Sequence, residues 1–266
     1  MQTVIGDGQC VWYDQCSSNP DKPSDKLNCR YDGPPKKLPT TSVSVFTTTC
    51  PELVDEIIDD YGEIVTCCSP NQILTLLNHL TTLTVVVENC PACVSNLRKN
   101  FCYFTCHPRH SAFVNPTLLY NDSVWTVSQY SSYIYIDEAY DSCDTVFFDQ
   151  ENTLALNFLC GPWGGEKCTP ERLFDSLGNN FLAAFNVSYI YGDNNTTAPI
   201  VEDPTQMRLI YPFNVETHPC NSSDPVYKCD CNNCEEMCPV AAQPVLLPVE
   251  EHLLRKKVSK AQNGAA

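Results

Sequence analysis

The chain has 266 residues, 43% of them apolar, with 11 Phe, 13 Tyr and 3 Trp, and a formal net charge of −16. That length allows one large or two small globular domains with enough apolar surface for a core. The charge argues against nucleic acid and against an anionic membrane face as partners, and it suits an acidic compartment, where protonation relieves self-repulsion. Eighteen cysteines and five N-x-[ST] sequons, at Asn121, Asn186, Asn194, Asn195 and Asn221, point to an oxidising space outside the cytosol, with the sequons read as glycosylation sites. The cysteine count is even, so nine disulfides could use every thiol. No apolar run approaches the roughly 20 residues that span a bilayer. MQTVIGDGQC has no hydrophobic signal core, so the chain reads as a mature or excised ectodomain with an added Met1.

In chain order, residues 1–50 read as loop-rich, with Cys10, Cys16 and Cys29 followed by DGPPKKLP at 32–39. Helical periodicity begins after Cys50, with Leu53, Ile57 and Tyr61 four residues apart. CCSPNQILTLLNHL (67–80) predicts a capped helix: Ser69 as N-cap, Pro70 in the first turn, Gln72 closing an S-x-x-Q box, and Ile73, Leu76, Leu77 and Leu80 as the buried stripe. A third helix starts near Pro91, with Cys90, Cys93, Leu97, Phe101 and Phe104 at three- and four-residue spacings. VWTVSQYSSYIYI (124–136) is β-branched and aromatic and reads as strand, with a short helix after it through Tyr140 to Cys143. Another short helix ends at LNFLCG (156–161), and Thr169-Pro170 opens an amphipathic helix with Leu173, Leu177, Phe181 and Phe185 on one face. NVSYIYG (186–192) and QMRLIYPF (206–213) read as strands around a glycan-bearing turn. The mixture predicts an α+β fold: a disulfide-rich helical body with a small mixed sheet. Residues 1–239 form the domain. Residues 240–266, with no cysteine, spaced prolines and a basic end, read as a linker or an added tail.

Few residues suggest chemistry. The CxxC pairs 90/93 and 231/234 have zinc-ligand spacing, but the oxidising compartment favours disulfides and no metal is expected. His107 and His110 in CHPRHS have neither HExxH nor facial-triad company and read as a surface loop. Gly161-Pro162-Trp163-Gly164-Gly165 reads as a tight turn, and no nucleophile elbow, phosphate loop or dinucleotide fingerprint occurs. No catalytic residue and no cofactor is assigned; the sequence does not read as an enzyme.

CVWYDQC, NCRYDGPPKKLP, CCSPNQILTL, CPACVSNLRKNFCYFTCHP and CDCNNCEEMCP occur in an order and spacing that resemble one family. It is the luminal N-terminal domain of the Niemann-Pick type C membrane sterol transporters. The resemblance runs from about Cys10 to Pro239 and is weakest in 107–135 and 161–215. It implies a folate-receptor-like fold that binds one cholesterol or related sterol with its 3β-hydroxyl buried. It implies delivery of that sterol by a small soluble carrier and its passage to the membrane part of the same full-length chain. The implied location is the lumen of late endosomes and lysosomes, or alternatively the cell surface. By this resemblance the hydroxyl-binding amides fall on Asn28 and Gln72, with Thr75 one turn later, and Gln15 stands where the family has an acid. A pocket-lining pair falls on Ala184-Phe185, and Trp12, Leu76, Phe101 and Phe113 are further lining positions. The transfer surface falls on Phe158-Leu159, as an exposed apolar pair by the pocket mouth. The implied disulfides are Cys10–Cys67, Cys16–Cys29, Cys50–Cys102, Cys68–Cys106, Cys90–Cys229, Cys93–Cys143, Cys160–Cys168, Cys220–Cys234 and Cys231–Cys238. From the residues alone Gln72 is a capping-box side chain and Asn28 a turn residue. A folate- or riboflavin-receptor-like vitamin binder and a pure interaction ectodomain remain the other classes.

Overall fold

The computed structural model describes residues 10–148, 153–179, 186–193, 198–203 and 206–239. Phe181, Ala184, Phe185, Asn194, Asn195 and the 240–266 segment lie outside them. The fold is α+β. A five-stranded mixed sheet runs β1 (Cys10–Ser18), β2 (Lys26–Gly33), β6 (Ser123–Ser132), β5 (Val114–Tyr120), with β9 (Asn186–Gly192) also pairing β6. β9 is parallel to β6 from Thr126↔Asn186 to Ser132↔Gly192, and the other pairs are antiparallel. Around the sheet lie α1 (Thr40–Thr49), α2 (Pro51–Tyr61), α3 (Pro70–Val87), α4 (Pro91–Cys106), α5 (Tyr133–Asp141), α6 (Leu156–Leu159) and α7 (Pro170–Asn179). Three two-stranded pieces complete it: β3 (Lys36–Lys37) with β4 (Val65–Thr66), β7 (Phe147–Phe148) with β8 (Thr153–Leu154), and β10 (Ala198–Asp203) with β11 (Gln206–Ile210).

Helix starts follow local chemistry. Pro occupies the first turn of α2, α3 and α4, where a missing N–H leaves no bond unmade. α3 has the full capping box: the Ser69 hydroxyl accepts from the Gln72 N–H and the Gln72 carboxamide oxygen accepts from the Ser69 N–H. α2 stops at Gly62, whose φ of 70° puts it in the left-handed region.

The structure departs from the sequence reading in four places. The residues before Cys50 are not mainly loop; the described ones hold β1, β2, β3 and α1. α1 is written TTSVSVFTTT, a β-prone run, yet it follows Pro39, buries Phe46 and Thr49, and ends at Cys50, which is bonded to α4. The strand expected over 124–136 ends at Ser132, whose hydroxyl accepts from the Ile134 N–H and caps α5; Tyr135, Ile136 and Ala139 then face the core at helical spacing. β9 and β11 do not flank one turn: β9 joins β6, while β11 forms a separate hairpin with β10 and Tyr211–Phe213 cross back to β6. His107 and His110 are buried. His110 Nε2 accepts from the Val11 N–H at 2.7 Å and its Nδ1 lies 3.3 Å from the Phe104 carbonyl; His107 Nε2 is 3.0 Å from Glu56.

The core holds Trp12, Leu27, Phe46, Leu53, Ile57, Leu97, Tyr135 and Phe174, all fully buried. A buried polar line runs through it. Gln129 of β6 donates to Asn100 Oδ1 at 2.8 Å, and Asn100 of α4 donates to the Tyr189 hydroxyl of β9 at 3.0 Å. With partners on both sides these amides cost little to bury and fix α4 against the sheet. Nine disulfides pair all eighteen cysteines, in the same pairs that the resemblance implies. Among the described residues no helix is long and apolar enough to cross a membrane.

Candidate functional site

A cavity of about 790 Å³, counted out to its open mouth, lies between the helices and the sheet. One wall is α3, α4 and the β1–β2 ribbon; the other is the end of α7 with β9. α3 contributes one face at helical spacing, Gln72, Thr75, Leu76, His79, Leu80 and Leu83. α4 adds Phe101, Phe104 and Thr105, and β1 and β2 add Gln15, Lys26 and Asn28. The facing wall is Leu177, Gly178, Val187 and Tyr189. Gly178 allows that wall to close up, since a Cβ there would stand 2.7 Å from the Val187 carbonyl oxygen.

The buried end of the cavity is built from amides. β1 and β2 pair irregularly, Trp12 opposite Arg30 and Gln15 opposite Asn28, so three steps on β1 match two on β2. Asp14 sits in this bulge at φ 71°, and its freed N–H donates to Gln72 Oε1 at 2.7 Å. The same oxygen accepts from the Ser69 N–H at 2.9 Å. Two donors on one atom fix the orientation of the carboxamide. Its Nε2 therefore points the other way, buried and with no hydrogen-bond partner among the described residues. Gln15 Nε2 donates to Thr75 Oγ1 at 3.2 Å, and Thr75 Oγ1 donates to the Asn71 carbonyl at 3.1 Å. Asn28 is buried opposite Gln15. Burial lowers the pKa of His79, opposed by Asp25 and assisted by Lys22; burial likewise raises that of the Tyr189 phenol. The chamber is thus a hydrocarbon slot with a neutral, hydrogen-bonding end, in which one amide donor is free.

A profile described as "Niemann-Pick C1 N terminus" matches residues 7–257. The chain belongs to this Niemann-Pick C1 N-terminal family. It is 26% identical over 262 residues to the "NPC1-like intracellular cholesterol transporter 1" of Homo sapiens, covering 92% of this chain and 18% of that protein. It is 29% identical over 244 residues to the "NPC intracellular cholesterol transporter 1" of Sus scrofa, covering 86% and 18%. The "NPC intracellular cholesterol transporter 1 homolog 1b" of Drosophila melanogaster is 25% identical over 255 residues, covering 88% and 19%. The chain therefore spans less than a fifth of the length of these relatives. They are named as transporters, not as enzymes.

Of the positions that the family resemblance singles out, the cavity brings together Asn28, Gln72, Thr75, Leu76 and Phe101, with Gln15 among them. Trp12 does not line it. Its indole N–H donates to the Thr105 carbonyl at 3.1 Å and its ring packs edge-on against Phe104, one layer behind the wall. Phe113 is also elsewhere, packed against His107 and Phe213. The Phe158-Leu159 pair is split: Phe158 is 54% exposed and stacks edge-on against Phe148, while Leu159 is buried, and neither lines the cavity. Consecutive helical residues point about 100° apart, and here Phe158 turns to solvent while Leu159 turns into the core. His79, Leu80 and Leu83 were missed although they continue the three-and-four spacing from Gln72. Leu177, Gly178, Val187 and Tyr189 carry no such signal. Asn121, Asn186 and Asn221 are exposed, Asn121 in the β5–β6 turn at φ 47°. The Cys10, Cys67 and His110 ligand atoms lie within 4.8 Å of one another, but the sulfurs are bonded together and His110 Nε2 is taken by Val11, so this cluster offers no thiolate.

Proposed function

We propose that this chain binds one cholesterol-like sterol in the cavity, with the 3β-hydroxyl at the Gln72–Asn28 end and the hydrocarbon body along Leu76, Leu80, Leu83, Phe101, Phe104 and Leu177. The observation that carries the reading is the unpartnered, buried Gln72 Nε2 in an otherwise apolar slot. A buried donor without a partner is costly, and a hydroxyl supplies the missing acceptor while accepting no charge. A sterol is nearly all hydrocarbon with one hydroxyl, and the cavity pairs a mostly apolar lining with a few polar groups at one end. Burial of apolar area supplies affinity at about 25 cal/mol per Å², and the amide end sets direction. The family's place in cholesterol transporters suggests the wider role: a luminal domain in late endosomes or lysosomes. It would receive sterol from a small soluble carrier and pass it to the membrane part of its own chain.

The test uses Gln72→Glu. A carboxylate keeps the acceptor for Ser69 and Asp14, and hence the helix cap, while removing the donor. Binding of radiolabelled cholesterol is expected to weaken by about 1–3 kcal/mol, and the melting temperature is measured alongside because a carboxylate at this buried position carries a desolvation cost. A folded variant with unchanged affinity overturns this placement of the hydroxyl. Folate and riboflavin are expected to give no competition in the same assay.

A further inference from the structure

Asn96 and Lys99 stand one turn apart on α4, and neither lines the cavity. Together they hold residues 216–218 against the helix. The fully buried Asn96 side chain donates to the His218 carbonyl at 2.9 Å and accepts from the His218 N–H at 2.9 Å. Lys99, only 6% exposed, donates to the Glu216 carbonyl at 2.7 Å, and its Nζ lies 3.1 Å from His218 Nε2. An ammonium has no lone pair, so Nε2 is the acceptor and the imidazole is neutral, with its proton on Nδ1. The ring stacks on Tyr227, with centroids 3.5 Å apart. This strap is anchored at both ends. The Phe213 N–H donates to the Tyr130 carbonyl at 2.8 Å, and Cys220 is bonded to Cys234 in the knot that Cys90–Cys229 ties to the start of α4.

We propose that His218 and Lys99 form an acid-released clamp on residues 214–220. It is closed while the imidazole is neutral. A proton on Nε2 turns the acceptor of the contact into a second cationic donor, and the clamp opens. This holds whatever the cavity binds. The other charges around the ring are accounted for. Arg98 of α4 is paired with Glu52 of α2, and Glu138 of α5 accepts from the Thr217 hydroxyl. Glu216 and Asp224 lie on the segment itself, and Asp55 of α2 acts on the stacked Tyr227. Burial first and Lys99 second hold the pKa of His218 below the ordinary value, against the opposing pull of Glu216, Glu52 and Asp224. The folded value thus lies below the unfolded one of about 6.5. The clamp's contribution is therefore complete above about pH 6.5 and is lost as pH falls from there through the folded value. A luminal domain passing from neutral to acidic fluid enters that range. Opening frees the strap between Phe213 and Cys220, while Cys90–Cys229 keeps the knot attached, so the knot pivots on α4 and does not leave it.

The test is hydrogen exchange read by mass spectrometry at about pH 7 and about pH 5, with rates corrected for the intrinsic pH dependence of exchange. It compares the wild type with His218→Gln, whose carboxamide oxygen accepts from Lys99 at either pH, and with Lys99→Met, which removes the cation. In the wild type the 214–220 segment is expected to lose about tenfold in protection at the lower pH, the worth of one hydrogen bond to a charged group. The α4 segment around Cys102 is expected to keep its protection. His218→Gln is expected to abolish the loss. Lys99→Met is expected to start from lower protection and to lose much less on acidification. Unchanged protection in the wild type overturns the proposal, whatever the variants do. So does a loss that His218→Gln retains. A loss of equal size in α4 also overturns it, since that marks general acid destabilisation. If His218→Gln does not fold, a Lys99→Met chain that shows the full wild-type loss overturns it equally.

Discussion

The cavity wall made by β1, β2, α3 and α4 is cross-linked three times, by Cys10–Cys67, Cys16–Cys29 and Cys68–Cys106, and Cys50–Cys102 ties its α4 to the α1–α2 junction. The facing wall, α7 and β9, contains no cysteine. Its nearest disulfide, Cys160–Cys168, closes an eight-residue separation within the α6–α7 connection and ties that wall to nothing else. What holds the second wall is non-covalent. The β6–β9 ladder runs along it, Asn179 donates to the Val187 carbonyl at 3.2 Å, and the Tyr191 hydroxyl donates to Asp175 at 3.0 Å. The wall that carries the Gln72 and Asn28 amides is thereby preorganised, which hydrogen-bond geometry demands. The wall that offers mostly hydrocarbon is left free to adjust, which non-directional packing tolerates.

The largest expected effect separates the two walls directly. By loop-closure entropy, replacing Cys68 and Cys106 by Ala costs about 4 kcal/mol, and replacing Cys160 and Cys168 costs about 2.5 kcal/mol. Chemical denaturation measures both. Cholesterol affinity, measured beside it, should fall for the first pair because the α3 start, with Gln72, is no longer held to α4. Equal loss of affinity from the second pair would break the contrast.

A smaller effect lies within α6, which packs on α7. Leu159→Gln is expected to cost about 3 kcal/mol, because it empties a core position and buries an amide. Phe158→Gln should stay within about 0.5 kcal/mol, as an exposed position does. Thermal scans decide this. If carrier-mediated loading is slowed by Phe158→Gln at unchanged affinity and melting temperature, the docking role rests on Phe158 alone.

The contrast between walls also governs how much was legible in the sequence. The first wall is dense in local signals. Ser69, Pro70 and Gln72 announce the start of α3, the stripe through Leu76 and Leu80 announces its buried face, and the cysteine motifs place both in the family. The second wall has none of these. Leu177 and Gly178 read as one more amphipathic helix, and Val187 and Tyr189 as one more strand. Only the parallel pairing of β9 with β6, a long-range contact, brings them to the cavity. Where propensity and tertiary packing disagreed, packing won: TTSVSVFTTT and YIYI are helical because their burial and caps suit a helix, although their residues prefer strands. The free Nε2 of Gln72 was not legible at all, since it depends on Asp14 occupying a bulge.

Acid should act on the two sides with opposite signs. Behind the first wall, burial alone would raise the Glu56 carboxyl. Hydrogen bonds from His107 and Tyr103, with the His107 and Arg109 charges, outweigh burial and hold its pKa below the ordinary carboxylate value. On α7, burial together with the nearby Glu171 raises Asp175, only partly offset by the Tyr191 hydroxyl. For Glu56 the folded pKa lies below the unfolded one. Its contribution is therefore complete above the unfolded value of about 4.3 and is lost as pH falls through the folded value. For Asp175 the folded pKa lies above the unfolded one. Its ionisation destabilises the fold at neutral pH, and that cost disappears as pH falls through the folded value toward the unfolded one of about 3.9. Glu56→Gln should therefore lower the melting temperature at pH 7, and the deficit should close on acidification below about pH 4. Asp175→Asn keeps an oxygen for Tyr191 and should raise the melting temperature at pH 7, with the gain shrinking on acidification, beginning at a higher pH than for Glu56. Melting curves of the two variants against the wild type across that range measure both signs. A constant offset for either variant would show that its carboxylate acts through packing and not through charge.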